Sequence, residues 1–167
     1  EEVARLVGYN NIPVSLPAIR PTQEDISELA LRDRIKAMLV GMGFTEIITY
    51  SFISPQSADI LGAGENSDLR SFVRLSNPLS QDQSVMRTSF IPGLLSTVRL
   101  NSLRGQNDLR IFEWGRIYIK GNGDLPQEKQ VLAALITGMG STVEWYQEGR
   151  EADFFDIKGI ALIDPLS

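Results

Sequence analysis

Apolar residues recur along this chain at two spacings, one typical of helices and the other typical of strands. Residues 1–9 carry apolar positions on one helical face and are predicted to be the end of a helix that Gly8 terminates. A longer helix is predicted to begin at a capping-box pattern of Thr22 and Asp25 and to end at Gly43. Its apolar stripe comprises Ile26, Leu31, Ile35, Met38, Leu39 and Met42.

Three further helices are predicted from their start signals. Ser54 and Pro55 are typical of an N-cap followed by a first-turn proline, and they predict a short helix. Pro92 begins a helix that closes near Gly105, and Asp153 is a candidate cap for a final helix.

Five segments have the patterns of strands. Residues 46–52 are rich in β-branched and aromatic residues, and Ile48, Tyr50 and Phe52 alternate onto one face. The other predicted strands are 72–75, 85–87, 109–119 and 131–137. The segment 109–119 is apolar on both faces, so we expect it to be buried centrally or at an interface.

The order of these elements favours an α+β fold with a largely antiparallel sheet. The two longest strand candidates flank a Gly-rich turn at residues 121–124, as in a hairpin. Prolines spaced between residues 13 and 21 predict an extended connector and a domain boundary near residue 20. We therefore expect the end of one domain over 1–20 and a second domain over 21–167.

Composition limits the chemistry that this chain can perform. Its 167 residues suffice for one sizeable core, and the absence of Cys and His excludes disulfides, thiol nucleophiles and the commonest general base. The net charge of −5 is unfavourable for a surface that binds nucleic acid through phosphates. No apolar stretch approaches the roughly 20 residues of a membrane helix. Without a signal-peptide pattern or an initiator Met, we expect a cytoplasmic piece of a longer protein.

Four clusters of residues occur in a fixed order along the chain. They are EEVARLVGYNNIP at 1–13, GFTEIITYSF at 43–52, NPLS, SVMRTS and PGLL between 77 and 95, and FEWGR at 112–116 with FFDIKG at 154–159. Together they resemble the β subunit of bacterial phenylalanyl-tRNA synthetase over nearly all of residues 1–160. Each cluster alone is a weak signal, and their joint occurrence in order is a specific one.

The resemblance implies an α₂β₂ ligase that joins phenylalanine to tRNA(Phe) using ATP and magnesium. For residues 21–167 it implies a class II aminoacyl-tRNA synthetase-like antiparallel β-sheet flanked by helices, truncated at its C-terminal end. For residues 1–20 it implies the end of the B5 domain. In this family the α subunit holds the working active site, and the β domain packs against it. The implied partners are therefore the α subunit, a second β subunit and tRNA(Phe), with no membrane.

Catalysis by this domain itself is not expected. Amino acid activation needs cationic side chains against the ATP phosphates and carboxylates on magnesium. Residues 86–89 resemble the segment leading into motif 2 and residues 112–115 its returning strand, but only a helix and a short loop lie between them. We expect the paired strand that would present an Arg and a Glu to ATP to be lost from between these two segments. No motif 3 helix follows Lys158, so we expect no cofactor in this chain.

The quoted clusters contain candidate structural or interface residues. Arg87 could bind phosphate, but pairing with a buried carboxylate or a helix end is the favoured interpretation. Glu113 is expected to accept hydrogen bonds from loop amides, and Asn77 with Pro78 to form a turn that ends a strand. The candidates are Asn77, Pro78, Arg87, Phe112, Glu113, Trp114 and Gly115.

Glu1 and Glu2 match two adjacent carboxylates that the family assigns to magnesium in its B5 region. The other ligands would lie upstream, and two solvated glutamates are the alternative. Asp153 with Asp156 also suggests a metal pair, although a helix cap explains Asp153 more simply.

Aromatic side chains and arginines supply the candidate contact surfaces. Candidate anchors against the α subunit, each of which could equally be core, are Trp114, Tyr118, Phe90 and Phe72. A basic patch is suggested by Arg99, Arg104, Arg110 and Arg116, and is better explained as solvated or α-facing than as an RNA site. The alternative functions are a nucleic-acid (tRNA)-binding module, since the B5 fold resembles DNA-binding domains, and a domain with its own nucleotide site.

Overall fold

The structure, a computed structural model, describes residues 1–15, 27–121, 123, 125–141, 145 and 148–161. Several predicted features lie outside the described residues: the capping box at Thr22 and Asp25, Ile26 of the apolar stripe, Pro17 and Pro21 with the domain boundary near residue 20, and Asn122 and Asp124 of the turn.

Helices form in the predicted regions. Those of the described residues are α1 (Glu2–Val7), α2 (Ser27–Gly41), α3 (Ser57–Ile60), α4 (Ile91–Ser102) and α5 (Phe154–Ala161). α3 begins at Ser57 with Gln56 as its N-cap, so the predicted cap at Ser54 and first-turn position of Pro55 are wrong.

α1 ends at Gly8, whose φ of 92° favours glycine, as predicted. α2 ends at Gly41, and Gly43, with a φ of 83°, then turns the chain. After this turn the Phe44 N–H donates to the carbonyl of Leu39 at 3.0 Å.

The strands of the described residues are β1 (Thr45–Glu46), β2 (Phe52–Ile53), β3 (Val85–Met86), β4 (Leu109–Ile119), β5 (Gln127–Thr137), β6 (Met139–Ser141) and β7 (Arg150–Glu151). Three of them form the main sheet, in the order β1, β4, β5. β1 is parallel to β4, whereas β4 and β5 form an antiparallel hairpin from Leu109↔Thr137 to Ile119↔Gln127. β2 pairs with β3, and β6 with β7, as two-stranded antiparallel ribbons.

The central strand β4 separates two cores, as its apolar pattern on both faces predicts. On one face Ile111 packs with Leu94 of α4 and with Phe90, the residue that caps the start of α4. On the other face Phe112 packs with Leu39 of α2 and with Phe44. Helices therefore cover both faces of the sheet, with α4 on one side and α2 on the other.

Two predicted strands are wrong as continuous strands. The segment 46–52 is a strand only at its two ends, in β1 and β2. Its centre leaves the ladder because a side chain of β4, and not the β4 backbone, accepts the Thr49 N–H. The segment 72–75 makes a single bridge, Arg74↔Val85, because Phe72 closes a tight turn onto the Arg70 carbonyl.

Between Arg87 and β4 the structure has only α4 and a loop, as the sequence indicated, and no strand lies among the described residues there. β4, which carries the cluster with Phe112, pairs along its whole length with β5, the strand that follows it. Between these strands, residues 120–126 contain one lysine but neither arginine nor glutamate. The turn of this β4–β5 hairpin therefore offers neither an arginine nor a glutamate to ATP.

Candidate functional site

The parallel strands β1 and β4 diverge after Ile47, and side chains then connect the two segments. The last regular hydrogen bond runs from the Ile47 N–H to the Phe112 carbonyl at 2.8 Å. Beyond it the carboxylate of Glu113 accepts the Thr49 N–H at 3.2 Å through Oε1 and the Thr49 hydroxyl at 2.7 Å through Oε2. Glu113 is only 2% exposed, so its carboxylate replaces the β4 backbone as acceptor where the two strands separate.

Arg87 fills the rest of the space between the two diverging segments. Its Nη1 donates to Glu113 Oε1 at 2.7 Å and to the Thr49 carbonyl at 3.3 Å. Its Nε donates to the Arg116 carbonyl at 2.9 Å. Its backbone N–H donates to Ser51, and its carbonyl accepts from Tyr118. One residue thus joins the 49–51 segment to β4 through both its side chain and its main chain.

Two glycines allow this network to pack closely. A Cβ on Gly115 would lie 2.9 Å from Arg87 Nη2 and 3.3 Å from the Phe90 ring. A Cβ on Gly93, in α4, would lie 2.6 Å from the Thr49 hydroxyl oxygen. The guanidinium carbon of Arg87 lies 4.0 Å from the Phe90 ring centroid, in cation–π geometry. Any side chain at either glycine would displace the network.

This arrangement is suited to holding backbone and not to binding phosphate. Arg87 is 6% exposed, and its Nε and Nη1 donors already serve Glu113, Thr49 and the Arg116 carbonyl. Binding a phosphate would require breaking a buried ion pair, and breaking such a pair typically costs several kcal/mol. The pairing of Arg87 with a buried carboxylate, favoured from the sequence, is the contact that the structure shows.

The remaining candidates lie elsewhere. Phe112 is fully buried in the opposite core, Trp114 is half-buried on that same face, and Asn77 and Pro78 are exposed in an irregular segment. Phe90, proposed as an interface anchor, is 2% exposed and belongs to the core. Tyr118 and Phe72 are half-buried.

The four arginines of the suggested basic patch have separate surroundings. Arg116 pairs with Glu128 at 2.9 Å, and Arg110 donates to the Gly140 carbonyl at 2.6 Å. These two lie six residues apart on β4, about 20 Å by strand geometry. Arg99 and Arg104 are exposed on and after α4. β4 therefore does not present its two arginines as one cationic surface.

Asp153 caps α5, as predicted, by accepting the backbone N–H of Phe155 at 2.8 Å. Asp156 reciprocates by accepting the Asp153 N–H at 2.9 Å and also binds Arg150 at 2.7 Å. The Arg150 hydrogen bonds, followed by the Asp153 N–H, hold the pKa of Asp156 well below the ordinary aspartate range. The proximity of Asp153 and Asp156 is therefore explained by their reciprocal capping of α5, and it does not require a metal ion.

The Asp156→Asn substitution is expected to change how stability depends on pH. Because the folded-state pKa is lowered, ionised Asp156 stabilises the fold above its unfolded value, about 3.9, and this contribution is lost as pH falls toward the folded value. The wild-type chain should therefore be the more stable at neutral pH, and the difference should shrink below about pH 4. Urea midpoints measured at a series of pH values test this. A difference that does not change with pH would contradict it.

An apolar groove runs between the 48–53 segment, α3 and the outer side of α4. It has a volume of about 730 Å³. Ile48 and Tyr50 are 91% and 78% exposed at its rim. Other large apolar residues that line it are Phe52, Ile53, Ile60, Leu61, Leu95 and Leu100. The alternation of residues 48, 50 and 52 in the sequence had indicated this shared face, whereas the contribution of α4 was not predicted.

Within the described part of the chain, no three or more His, Cys, Asp or Glu side chains are grouped so that they could hold a metal ion. Over the same residues, no helix combines the length and apolar character needed to cross a membrane.

The fold is shared with solved structures of pyrrolysyl-tRNA synthetase from Desulfitobacterium hafniense. One matches 70% of this chain and 38% of its own, with a TM-score of 0.51 and 23% sequence identity. Another covers 64% and 37%, with a TM-score of 0.50 and 24% identity. The chain thus has the class II aminoacyl-tRNA synthetase catalytic-like fold, as expected from the sequence.

Sequence comparison identifies the family within this class. The family model for the phenylalanyl-tRNA synthetase beta chain CLM domain matches residues 12–162. The chain is 48% identical over 163 residues to the phenylalanine–tRNA ligase beta subunit of Syntrophus aciditrophicus, covering 96% of this chain and 20% of that one. It is 44% identical over 166 residues to that of Geobacter metallireducens, with the same coverage. The chain belongs to the phenylalanyl-tRNA synthetase beta chain family and spans about a fifth of these relatives' length.

Proposed function

We propose that this chain is a non-catalytic assembly domain of a phenylalanine–tRNA ligase and that its apolar groove contacts the α subunit of the ligase. The relatives are named beta subunits, a name that implies an α partner. The groove is the observation that carries the proposal, because Ile48 and Tyr50 expose most of their surface side by side with other apolar residues. Contiguous exposed apolar surface of this kind marks an interaction site.

Two features of this chain support the absence of catalysis in this domain. Arg87 is buried and committed to Glu113 and Thr49. The turn between β4 and β5 contains neither arginine nor glutamate in residues 120–126. The electrostatic stabilisation that phosphates need would have to come from another part of the enzyme.

In the complete enzyme, an α₂β₂ assembly in the cytoplasm would join phenylalanine to tRNA(Phe) with ATP and magnesium. Residues 1–20 would close the B5 domain, and residues 21–167 would form the synthetase-like domain. Glu1 and Glu2 would offer carboxylates to magnesium. Glu2 also forms a salt bridge with Arg5, so the ion would compete with that contact.

Charged substitutions in the groove are expected to weaken assembly. Tyr50→Asp and Leu95→Asp, each placed in a full-length beta subunit, should lower its affinity for the α subunit at least about tenfold, because burying an unpaired carboxylate opposes association. Sedimentation or titration of the purified subunits measures the change.

Leu79→Asp is the matched control, because Leu79 is 96% exposed and does not line the groove. It should leave the affinity unchanged. Equal affinity in all three variants would contradict the docking surface, and adenylate formation by this chain alone would contradict the non-catalytic role.

A further inference from the structure

The segment that carries the groove rim is held mainly by side chains. After Ile47 the ladder with β4 stops, and the N–H of Thr49 goes to the Glu113 carboxylate. The carbonyl of Thr49 accepts from the Arg87 guanidinium at 3.3 Å. Both peptide groups that flank Thr49 are therefore fixed by buried charged groups of other elements.

The hydroxyl of Thr49 adds a third constraint. It donates to Glu113 Oε2 at 2.7 Å, accepts from Arg87 Nη1 at 3.2 Å, and abuts Gly93 of α4. With one carboxylate oxygen on its N–H and the other on its hydroxyl, the residue is held at two points. A charge-assisted bidentate contact of this type fixes orientation as well as position.

The residues on either side of Thr49 project away from this network. In extended backbone, neighbouring side chains point to opposite faces, so an inward Thr49 directs residues 48 and 50 outward. Ile48 and Tyr50 are indeed mostly exposed, whereas Thr49 is half-buried. The direction of these two apolar side chains thus depends on how Thr49 is held.

We propose that Glu113, Arg87 and Thr49 are positioning residues that set the geometry of the Ile48–Tyr50 rim for the apolar surface of the α subunit. The proposal rests on the assembly function proposed above and adds to it how the docking surface is formed. The buried ion pair acts through Thr49, since neither charged group is itself exposed enough to touch a partner.

Thr49→Val in the full-length beta subunit is the direct test. Valine has nearly the same shape but no hydroxyl, so it removes the Glu113 Oε2 contact while the apolar side chains of the groove, including Ile48 and Tyr50, stay unchanged. We expect the affinity for the α subunit to fall about tenfold or more and hydrogen exchange to accelerate at residues 48–50. Thr49→Ser keeps the hydroxyl and should restore both values to within about threefold of wild type.

Thr88→Val is the matched control. Thr88 is as buried as Arg87 and also donates through its hydroxyl, to the Leu69 carbonyl at 2.8 Å, but it does not line the groove. The Thr88→Val variant should have a lower free energy of unfolding but an unchanged affinity for the α subunit. If Thr49→Val has no greater effect on affinity than Thr88→Val while Tyr50→Asp still weakens assembly, the positioning role is overturned and the assembly function stands. If Tyr50→Asp has no effect, both are overturned.

Discussion

Arg87→Met is expected to lower the free energy of unfolding by about 3–5 kcal/mol, the usual result of leaving one partner of a buried ion pair alone. Glu113, 2% exposed, would lose its only cationic partner among the described contacts. The carbonyls of Thr49 and Arg116 would lose donors at the same time. Urea denaturation of this chain measures the change.

Two comparison variants separate this effect from a general loss of charge. Arg116→Met removes an exposed pair with Glu128 and should cost only about 0–1 kcal/mol. Adding Glu113→Leu to Arg87→Met removes the stranded carboxylate, so the double variant should be more stable than Arg87→Met alone. Equal losses for Arg87→Met and Arg116→Met would show that burial does not govern the pair.

Phe112→Ala is the second substitution with a large expected effect, about 3–5 kcal/mol of unfolding free energy. Phe112 is fully buried and packs against Leu39 and Phe44 at the centre of one core. Its removal would leave a cavity under α2 that the paired strands β4 and β5 cannot close. The change in urea midpoint gives the loss of unfolding free energy, provided that the m-value of the variant equals that of the wild type.

Phe154→Ala is the control for Phe112→Ala. It deletes the same side chain from a position that is 67% exposed, where the ring approaches that of Phe155 edge-on. Its cost should stay below about 1.5 kcal/mol. A similar loss at both positions would indicate that the core around Phe112 is not closely packed.

The structure changes the meaning of the cluster that carries Phe112, Glu113 and Gly115. These neighbours on β4 serve different purposes, because alternate residues face opposite cores. Phe112 fills one core, whereas Glu113 and Gly115 accommodate Arg87 on the other side. A short sequence cluster can therefore combine apolar packing with a buried charge without placing the two in conflict.

Local sequence signals determined much of the fold. The bounds of β4 agree with its predicted range, α4 has Pro92 in its first turn, and Asp153 caps α5. Each of these depends on residues close together in the chain: a run of apolar residues, a proline with fixed φ, and a carboxylate near free backbone N–H groups. The family resemblance likewise needed only the order of clusters.

Tertiary structure alone decided how the 46–52 segment is used. Its β-branched and aromatic residues predict one strand, but its hydrogen-bond partners come from Glu113, 64 residues away, and from Arg87, 38 residues away. Thr49 and Gly93 showed no signal as site residues, because their importance comes from a close approach between separate elements. Spacing along the chain records which face a residue occupies. Which acceptor takes a given N–H is settled only when distant segments pack together.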